Sequence, residues 1–530
     1  MIRGNDRDHM DPGNEKNPAS LQPEIAVGDD DMPIEALMAV AFEGRQVRLS
    51  SDPAWRARLQ KSRAVLEGSL GEGRRVYGVS TGVGYSSKNT IRSTHIQEFA
   101  YQIIRQHGCG LGEMFSVQQA RAIIFARLVS LSKGYSAVTP ELLQALCDLL
   151  NRGVIPVIPM LGSVGASGDL TPLSYLAAVM AGEREAYYHE NIFPASEALR
   201  RAGLSVYSFV SKESLAIMNG TAVMTAIGAI GAVRLERTLA ICEAATALAA
   251  EAIFGRSQAF APIVHRLKHH PGQIAAAGAI RTILADSRMM DRGKEEDRLI
   301  QDPYSIRCAP HVLGAARDGL TWVLEVLHRE LNSVNDNPIM DPEQRKTFFA
   351  GNFYGGHLAL AMDLVKIAAA SVADLLDRQF ALLLDSRFNV GLPETLVGYG
   401  GCGVKALQLT SSALTALSVQ RSASDTVLSR PTEANNQDKV SMGLNAALNA
   451  SEVITLLQQV LATLLIALSN AAALRDETLF STGSRGLLDR VRSRSPVLTC
   501  DRRLDKDLRS LTRAIDTGWD GDELNPIFKN

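Results

Sequence analysis

The feature that most constrains this chain is a set of long stretches rich in Ala and Leu and mostly free of Gly and Pro. They exceed the roughly 4–8 residues of a buried strand, which indicates helices. Several run beyond about 25 residues, as is typical of long helices packed in a bundle. The stretches lie at 142–150, 221–253, 315–332, 357–384, 404–419 and 440–474.

Strand-like segments are short, at 47–50, 76–79 and 186–193, whereas Gly-rich loops recur at 77–84, 108–113, 162–168, 351–356 and 398–403. The pattern predicts a mainly α fold, in which a long-helix bundle is the scaffold and loops carry the chemistry. We place a boundary near residue 220, between a mixed, loop-rich part (33–220) and the helix bundle (221–530), which ends in charged surface helices. Residues 1–32 contain few apolar residues and predict a disordered leader.

Composition narrows the function classes. The 530 residues carry a formal net charge of −2, so nothing suggests the basic face that a nucleic-acid partner requires. Six cysteines without C-x-x-C spacing favour a reducing compartment, and the leader lacks the apolar region of a secretory signal. We therefore expect a cytoplasmic protein. Residues 456–474 carry no charge and reach membrane-spanning length, but their Gln, Asn, Ser, Thr and Ala content favours a buried bundle helix.

Three segments could carry chemistry, and each has a plain structural reading. The loop YGVSTGVG at 77–84 lacks the Lys-Ser/Thr ending of a phosphate-binding loop, but it offers Tyr77, a base only if its pKa is lowered. His265 and His269 are four residues apart without an intervening Glu, so we expect exposed histidines at a helix end and no metal. In QDPYSIRC, Tyr304 and Arg307 share a helix face, where a guanidinium can hold a carboxylate.

The segment GSVGASGDLTP at 162–172 reads at first as a flexible loop before a helix capped by Thr171. It is one of seven segments that occur in a specific order. The others are YGVSTGVG, SKESLAIMNGT (211–221), QDPYSIRC, LNSVNDNPI (331–339), GNFYGGH (351–357) and NNQDKVSMG (435–443). Together they resemble the aromatic amino acid ammonia-lyase family, which includes histidine, phenylalanine and tyrosine ammonia-lyases and related aminomutases. The resemblance covers roughly residues 33–510.

The resemblance implies that Ala166-Ser167-Gly168 cyclises into 4-methylideneimidazol-5-one (MIO), the family's prosthetic group. The residue types suit this chemistry, because the Gly168 nitrogen must approach the Ala166 carbonyl closely and Ser167 must lose its hydroxyl as water. Asp169 is placed to assist that dehydration. No metal is implied.

The resemblance also implies roles for other residues in the removal of ammonia from an amino acid to give an aryl acrylate. Tyr77 matches the base, Arg307 the carboxylate-binding residue and Asn219 the neighbour of the prosthetic group. Tyr304, Gln301, Asn352 and Phe353 match further positions of the active site. In the family this site is shared between chains of a homotetramer, so the same assembly is expected here, with a small amino acid as its partner.

The substrate positions disagree. Gln106 and His107 match the pair that contacts the substrate ring, and two polar groups there disfavour a bare phenyl ring. His107 resembles histidine lyases, whereas Gln437 stands where those enzymes carry Glu and where phenylalanine and tyrosine enzymes carry Gln. Tyr354 also replaces the His that usually follows Phe in histidine lyases. We expect L-histidine or a polar aromatic such as L-tyrosine, giving a urocanate- or coumarate-type product.

Two alternatives remain. A 2,3-aminomutase uses the same prosthetic group but returns the amine to the β-carbon, and the motifs do not separate it from a lyase. A non-catalytic binding or structural protein on this fold is the other alternative. The presence of Tyr77, Ser167, Asn219 and Arg307 argues against it.

Overall fold

Helices dominate the computed structural model, which describes residues 23–292 and 300–519. The α-helices are α1 (Ile34–Phe42), α2 (Pro53–Gly71), α3 (Ile96–Gln106), α4 (Val117–Ser132), α5 (Pro140–Arg152), α6 (Leu170–Met180), α7 (Ala195–Arg201), α8 (Glu213–Met218), α9 (Ala222–Ala252), α10 (Pro262–Arg266), α11 (Pro271–Ile283), α12 (Tyr304–Arg307), α13 (Ala309–Leu331), α14 (Gly356–Leu384), α15 (Lys405–Arg421), α16 (Gly443–Ala473), α17 (Thr482–Arg494) and α18 (Asp505–Thr517). Short 3-10 helices span Gly84–Lys88, Ser93–His95, Ser257–Phe260 and Glu477–Leu479. The strands are β1 (Ile25–Val27), β2 (Val47–Leu49), β3 (Leu111–Met114), β4 (Ile155–Pro156), β5 (Pro159–Leu161), β6 (Glu185–Tyr188), β7 (Asn191–Pro194), β8 (Ile339–Asp341) and β9 (Lys346–Phe348).

The predicted mainly α fold is confirmed. Helices α9, α14 and α16 contain 31, 29 and 31 residues and begin and end within three residues of the predicted stretches. They pack on one another, α9 and α14 also pack on α13, and α15 packs on α14 and α16. Ala and Leu have high helix propensity and bury apolar surface all round, so such stretches form the centre of a bundle.

Helix α16 contains the uncharged stretch that reaches membrane-spanning length. Its most apolar 18-residue window has a mean hydropathy of 1.7, but 78% of that window is buried inside the protein. Its apolar surface is therefore covered by other helices of the same chain.

The strands form three two-stranded pairs and one three-stranded sheet within the described residues. Strand β1 pairs with β2 in parallel, with Ile25 opposite Val47. The other sheets are antiparallel: β3–β5, β4–β6–β7 and β8–β9. Because β1 lies within residues 1–32, the predicted disordered leader is wrong for its last ten residues, and residues 1–22 lie outside the described part of the chain.

Three further expectations need correction. Residues 76–79 form a turn, because the amides of Val79 and Ser80 both bond to the Val76 carbonyl and Gly78 has φ +64°. Residues 186–193 form the β6–β7 hairpin rather than one strand. His265 was expected to be exposed at a helix end, but it is 1% exposed. Its Nε2 lies 3.0 Å from the Ala259 carbonyl oxygen, and its Nδ1 accepts from Gln273 at 2.9 Å.

The part before residue 220 packs directly onto the bundle. Helix α4, buried over most of its length, contacts α9, and one buried cluster includes Phe125 from α4 and Ile227 from α9. The boundary near 220 falls two residues before α9 begins and stays a prediction. At the other end of the chain, α18 packs on α16 and buries Leu511 and Ile515.

Candidate active site

The loop at residues 162–168 is tightly curled. Gly165, Ser167 and Gly168 have φ of +79°, +54° and +74°, and Gly165 pairs with Gly168 as an isolated bridge. A Cβ atom added to Gly168 would lie 2.2 Å from the Gly220 carbonyl oxygen, so only glycine fits there. The loop is thus compressed against residue 220, with Ser167 at 9% exposure near its apex.

Two donors converge on the carbonyl oxygen of Ser167. The side-chain amide of Asn219 donates from Nδ2 at 2.9 Å, and the backbone amide of Gly220 donates at 3.2 Å. Asn219 follows α8 directly, so the helix sets its position. Paired donors of this kind stabilise charge that develops on a carbonyl oxygen.

Asp169 joins the loop to the start of α9. Its Oδ2 accepts from the amides of Val223 (3.0 Å) and Met224 (2.9 Å), and Ser163 donates to Oδ1 at 3.2 Å. Helix α6 begins at Leu170, so Thr171 lies inside its first turn and does not cap it, contrary to expectation. Burial raises the pKa of Asp169 to about 7, despite these hydrogen bonds.

A hairpin at 432–437 lies over the loop. Thr432 and Gln437 pair through both backbone amides, and the Thr432 hydroxyl donates to Gln437 Oε1 at 2.6 Å. Because Oε1 faces Thr432, the amide nitrogen Nε2 of Gln437 points away from Thr432 and lies 3.5 Å from Ser167 Oγ. Glu433, Ala434 and Asn435 all have positive φ, at +50°, +51° and +64°. Three such non-glycine residues in succession are costly and are typical of functional sites.

Tyr77 lies beside this hairpin. Its hydroxyl accepts from the Gly84 amide at 2.8 Å, and a Cβ added to Gly84 would lie 2.7 Å from Glu433 Oε2. Burial raises the pKa of Tyr77, and the negative charge of Glu433 raises it further, whereas the Gly84 hydrogen bond lowers it. Within one chain, the structure thus links Tyr77 through Glu433 and Gln437 to Ser167.

The loop at 351–356 and the end of α3 also lie at this end of the molecule. Asn352 Nδ2 donates to the Val334 carbonyl at 3.1 Å, and Phe353 is half-buried beside it. Gln106 ends α3 and is exposed, whereas His107 is half-buried with its Nδ1 2.8 Å from the Ile103 carbonyl oxygen. Since a carbonyl only accepts, Nδ1 carries the hydrogen in the neutral imidazole, and Nε2 of that tautomer is an acceptor.

Tyr304, Arg307 and Gln301 lie elsewhere. The Arg307 guanidinium carbon is 4.5 Å from the Tyr304 ring centroid, so the two side chains meet as their spacing predicts. Tyr304 is 70% exposed and Gln301 is exposed. Arg307 Nε is buried and has no hydrogen-bond partner within the described residues. Such an atom is costly unless something else binds it.

The distance along helix α9 gives the separation between Arg307 and the Ser167 loop of one chain. Gln379 donates at 3.0 Å to both Thr246 Oγ1 and the Ser305 carbonyl, which places α12 beside residue 246 of α9. Asp169 instead bonds to Val223 and Met224 at the start of that helix. At 1.5 Å per residue, the two levels are about 35 Å apart. One chain therefore does not bring Arg307 to its own Ser167.

The sequence matches the family described as aromatic amino acid lyase over residues 32–493. The chain belongs to this family. Among its relatives, histidine ammonia-lyase from Gloeobacter violaceus is 38% identical over 487 residues, which cover 92% of this chain and 94% of that protein. These matches confirm the predicted family and its enzyme class, a carbon-nitrogen lyase.

Solved structures of the lyase family share the whole fold. Tyrosine aminomutase from Streptomyces globisporus superposes with a TM-score of 0.88 at 32% identity, covering 94% of this chain and 97% of that chain. Histidine ammonia-lyase from Trypanosoma cruzi superposes with a TM-score of 0.86 at 28% identity, covering 96% and 94%. Lyases and aminomutases thus have the same architecture as this lyase-family chain.

Sequence reasoning missed Glu433 and Arg127. Glu433 gave a signal only in retrospect, as an acid four residues before Gln437 in a polar run. Arg127 lies in the apolar helix α4 and is fully buried, where its Nη1 bonds to Asn335 at 2.7 Å. The available sign was that Arg127 is the only charged residue within the apolar stretch 122–132.

Proposed function

We propose that this lyase-family chain eliminates ammonia from L-histidine and that MIO forms from Ala166, Ser167 and Gly168. The observation that carries the proposal is the compressed loop: left-handed Ser167 and Gly168 pack on Gly220 at a site where a Cβ would not fit. In the cyclisation, the Gly168 nitrogen attacks the Ala166 carbonyl carbon. Two waters leave, one with the carbonyl oxygen and one with the Ser167 hydroxyl.

The residues around the loop suit such a group, which supplies an electrophilic methylene when formed. Asn219 and Gly220 donate to the Ser167 carbonyl oxygen at 2.9 and 3.2 Å and draw electron density away from the former Ser167 side chain. Asp169, with its pKa near 7, can hold or release a proton at neutral pH during dehydration.

The proposed catalytic groups divide the remaining work. Tyr77, as the phenolate, takes the β-proton, and the Gly84 amide stabilises that charge. Arg307, whose buried Nε has no partner among residues 23–292 and 300–519, holds the substrate carboxylate, so that the β-carbon faces the base. Because Arg307 lies about 35 Å from the same chain's Ser167 level, it must come from a second copy. This supports an active site shared between copies of the chain. The proposed assembly is the homotetramer that the family resemblance implies, acting in the cytoplasm on a free amino acid.

One feature of the site favours L-histidine: the His107 Nε2 lone pair can accept a hydrogen bond from a ring N–H of the substrate. The histidine ammonia-lyase relatives, at 34–38% identity, support the same substrate. L-Tyrosine fits the His107 acceptor through its phenol, and Gln437 in place of Glu keeps it as the second substrate.

An aminomutase is the second candidate, and one observation favours it. Among the solved structures, the Streptomyces globisporus tyrosine aminomutase is 32% identical to this chain and the Trypanosoma cruzi histidine ammonia-lyase 28%, although the Gloeobacter violaceus histidine ammonia-lyase sequence reaches 38%. The same prosthetic group would then return the amine to the β-carbon.

The test is to incubate the purified protein separately with L-histidine, L-tyrosine and L-phenylalanine and to identify each product by mass. We expect urocanate and free ammonia from L-histidine, and slower or no turnover of L-phenylalanine. A β-amino acid of unchanged mass would identify a mutase. Absence of turnover together with an unmodified 166–168 peptide would favour the non-catalytic alternative.

A further inference from the structure

A network of buried charged side chains lies directly beneath Asn219. Arg127 is 0% exposed, Lys212 2% and Asp336 1%. None of the three is accounted for by the proposed chemistry. Buried ion pairs often stabilise a fold no better than apolar residues of similar size, so the retention of two buried cations calls for another reason.

The orientation of Asn219 depends on its neighbour at residue 337. The backbone amide of Asn337 donates to Asn219 Oδ1 at 2.6 Å, while Asn219 Nδ2 donates to the Ser167 carbonyl at 2.9 Å. If the amide group were rotated by half a turn, a donor would face the Asn337 N–H and an acceptor the Ser167 oxygen. The position of the 335–337 segment therefore decides whether Asn219 presents a donor to Ser167.

Each residue of that segment is held by one of the buried charges or by the backbone. Asn335 Oδ1 accepts from Arg127 Nη1 at 2.7 Å, and Asp336 Oδ2 accepts from Lys212 Nζ at 2.6 Å. Asn337 Oδ1 accepts from the Ala350 amide at 2.8 Å. The Ser130 and Ser136 hydroxyls complete the contacts to Asn335 and Asp336 at 3.1 and 2.9 Å.

The same two cations also hold α8, the helix that ends at Asn219. Arg127 donates from Nε and Nη2 to the Ala216 carbonyl at 2.9 and 2.5 Å. Lys212 directly precedes α8 in a left-handed conformation, with φ +75°. Arg127 further packs under Gly220, where an added Cβ would lie 2.3 Å from its Nη1. Asn219 is thus held from both sides.

We propose that Arg127 and Lys212 are positioning residues that act through segment 335–337 to keep the Asn219 donor on the Ser167 carbonyl. This inference rests on the proposed function of the Ser167 loop. The two cations do not contact the reacting atoms. They fix the geometry in which the carbonyl is polarised, and a displacement of about 1 Å at such a contact can cost 100-fold in rate.

The test compares Arg127→Met and the double variant Lys212→Met/Asp336→Asn with a control ion pair, Arg234→Met/Asp516→Asn. The control removes an ion pair of 2.5 Å whose Arg234 side chain is 16% exposed. Arg234 lies about 16 Å along α9 from Val223 and about 18 Å from Thr246, away from both ends of the proposed site. We measure thermal stability, the water loss of the 166–168 peptide and the separate kcat and KM values. All three proteins should lose stability. Only the first two should show incomplete water loss, or a kcat lowered about 10- to 100-fold at similar KM.

Arg127→Lys covers the case in which Arg127→Met fails to fold. The ammonium of this Lys side chain can bond to either the Ala216 carbonyl or Asn335 but not to both. The Arg127→Lys variant should therefore restore part of the kcat that Arg127→Met loses. Complete water loss with kcat within about twofold of the control, in either variant, would overturn the inference while leaving the proposed function intact. A wild-type peptide without water loss would contradict both.

Discussion

The two ends of α9 differ in how completely one chain satisfies its polar groups. Near Val223, Asn219 and Asp169 are buried and hydrogen-bonded on both sides. Near Thr246, Tyr304 is 70% exposed and Arg307 keeps a buried nitrogen without a partner among the described residues. The first end is organised by the chain itself, and the second is complete only when something else binds. A site that needs both ends must form between copies.

The largest expected effect comes from the first end. Ser167→Ala removes the hydroxyl that leaves as water in the proposed cyclisation, so the 166–168 peptide should keep its unmodified mass. We expect kcat to fall by roughly four orders of magnitude or more, as when a covalent catalyst is lost. Peptide mass and steady-state rates check this. Full activity of Ser167→Ala would exclude the loop from the chemistry.

Arg307→Met tests the second end alone. The loss of a charged, forked donor should raise KM about 10- to 100-fold, while water loss at 166–168 stays complete because Arg307 of the same chain is remote. Arg307→Lys should recover only part of the affinity, since an ammonium lacks the fork. An unchanged KM in Arg307→Met would remove the carboxylate-binding role.

Asp169→Asn is expected to change stability with a defined pH dependence. The folded-state pKa of Asp169 is raised to about 7 from 3.8 by burial, so the folded protein keeps a proton that the unfolded chain releases. This contribution to the free energy of unfolding is present below about pH 4 and is lost as pH rises to about 7. Asn carries no such proton, so the variant should gain stability relative to wild type across this window, by a few kcal/mol at pH 7. Denaturant unfolding at pH 4.5, 6 and 7.5 measures the difference, and parallel pH curves would contradict it.

The smallest expected effect is on Tyr77, the proposed base. Glu433 raises the pKa of Tyr77, so Glu433→Gln should lower that pKa. Because the proposed base acts as the phenolate, the rising limb of the kcat/KM profile should move to lower pH by a fraction of a unit. Asp385→Asn is the control. Asp385 directly follows the C-terminal end of α14, whereas the loop at 351–356 near the site precedes its N-terminal end, so this variant should leave the rising limb in place. A shift to higher pH would contradict the placement of Glu433 beside Tyr77.

The sequence predicted the features that depend on local pattern. Long Ala- and Leu-rich stretches gave α9, α14 and α16 to within three residues, since helix propensity and burial agree there. The compression of Gly168 was foreseeable in kind, because only glycine permits such an approach.

Features that depend on distant partners were not predictable. Strand β1 exists because Ile25 to Val27 pair with β2 some twenty residues later. Asp169 caps α9 rather than α6, because tertiary packing brings the start of α9, 54 residues later in the chain, next to its carboxylate. His265 is buried by Gln273 and the Ala259 carbonyl, neither of which marks it in the sequence. The separation of Arg307 from Ser167 follows from tertiary contacts, because α12 packs beside Thr246 of α9 whereas Asp169 bonds to Val223 at the start of that helix.

The most direct test of a site shared between copies is complementation. Ser167→Ala and Arg307→Met chains, carrying different tags, are co-expressed, and the mixed oligomers are isolated through both tags. Some sites then combine an intact Ser167 loop from one chain with an intact Arg307 from another. The account predicts turnover of L-histidine, at low substrate concentration, well above the sum of the two separate variants. Turnover no greater than that sum, in oligomers shown to contain both chains, would contradict it.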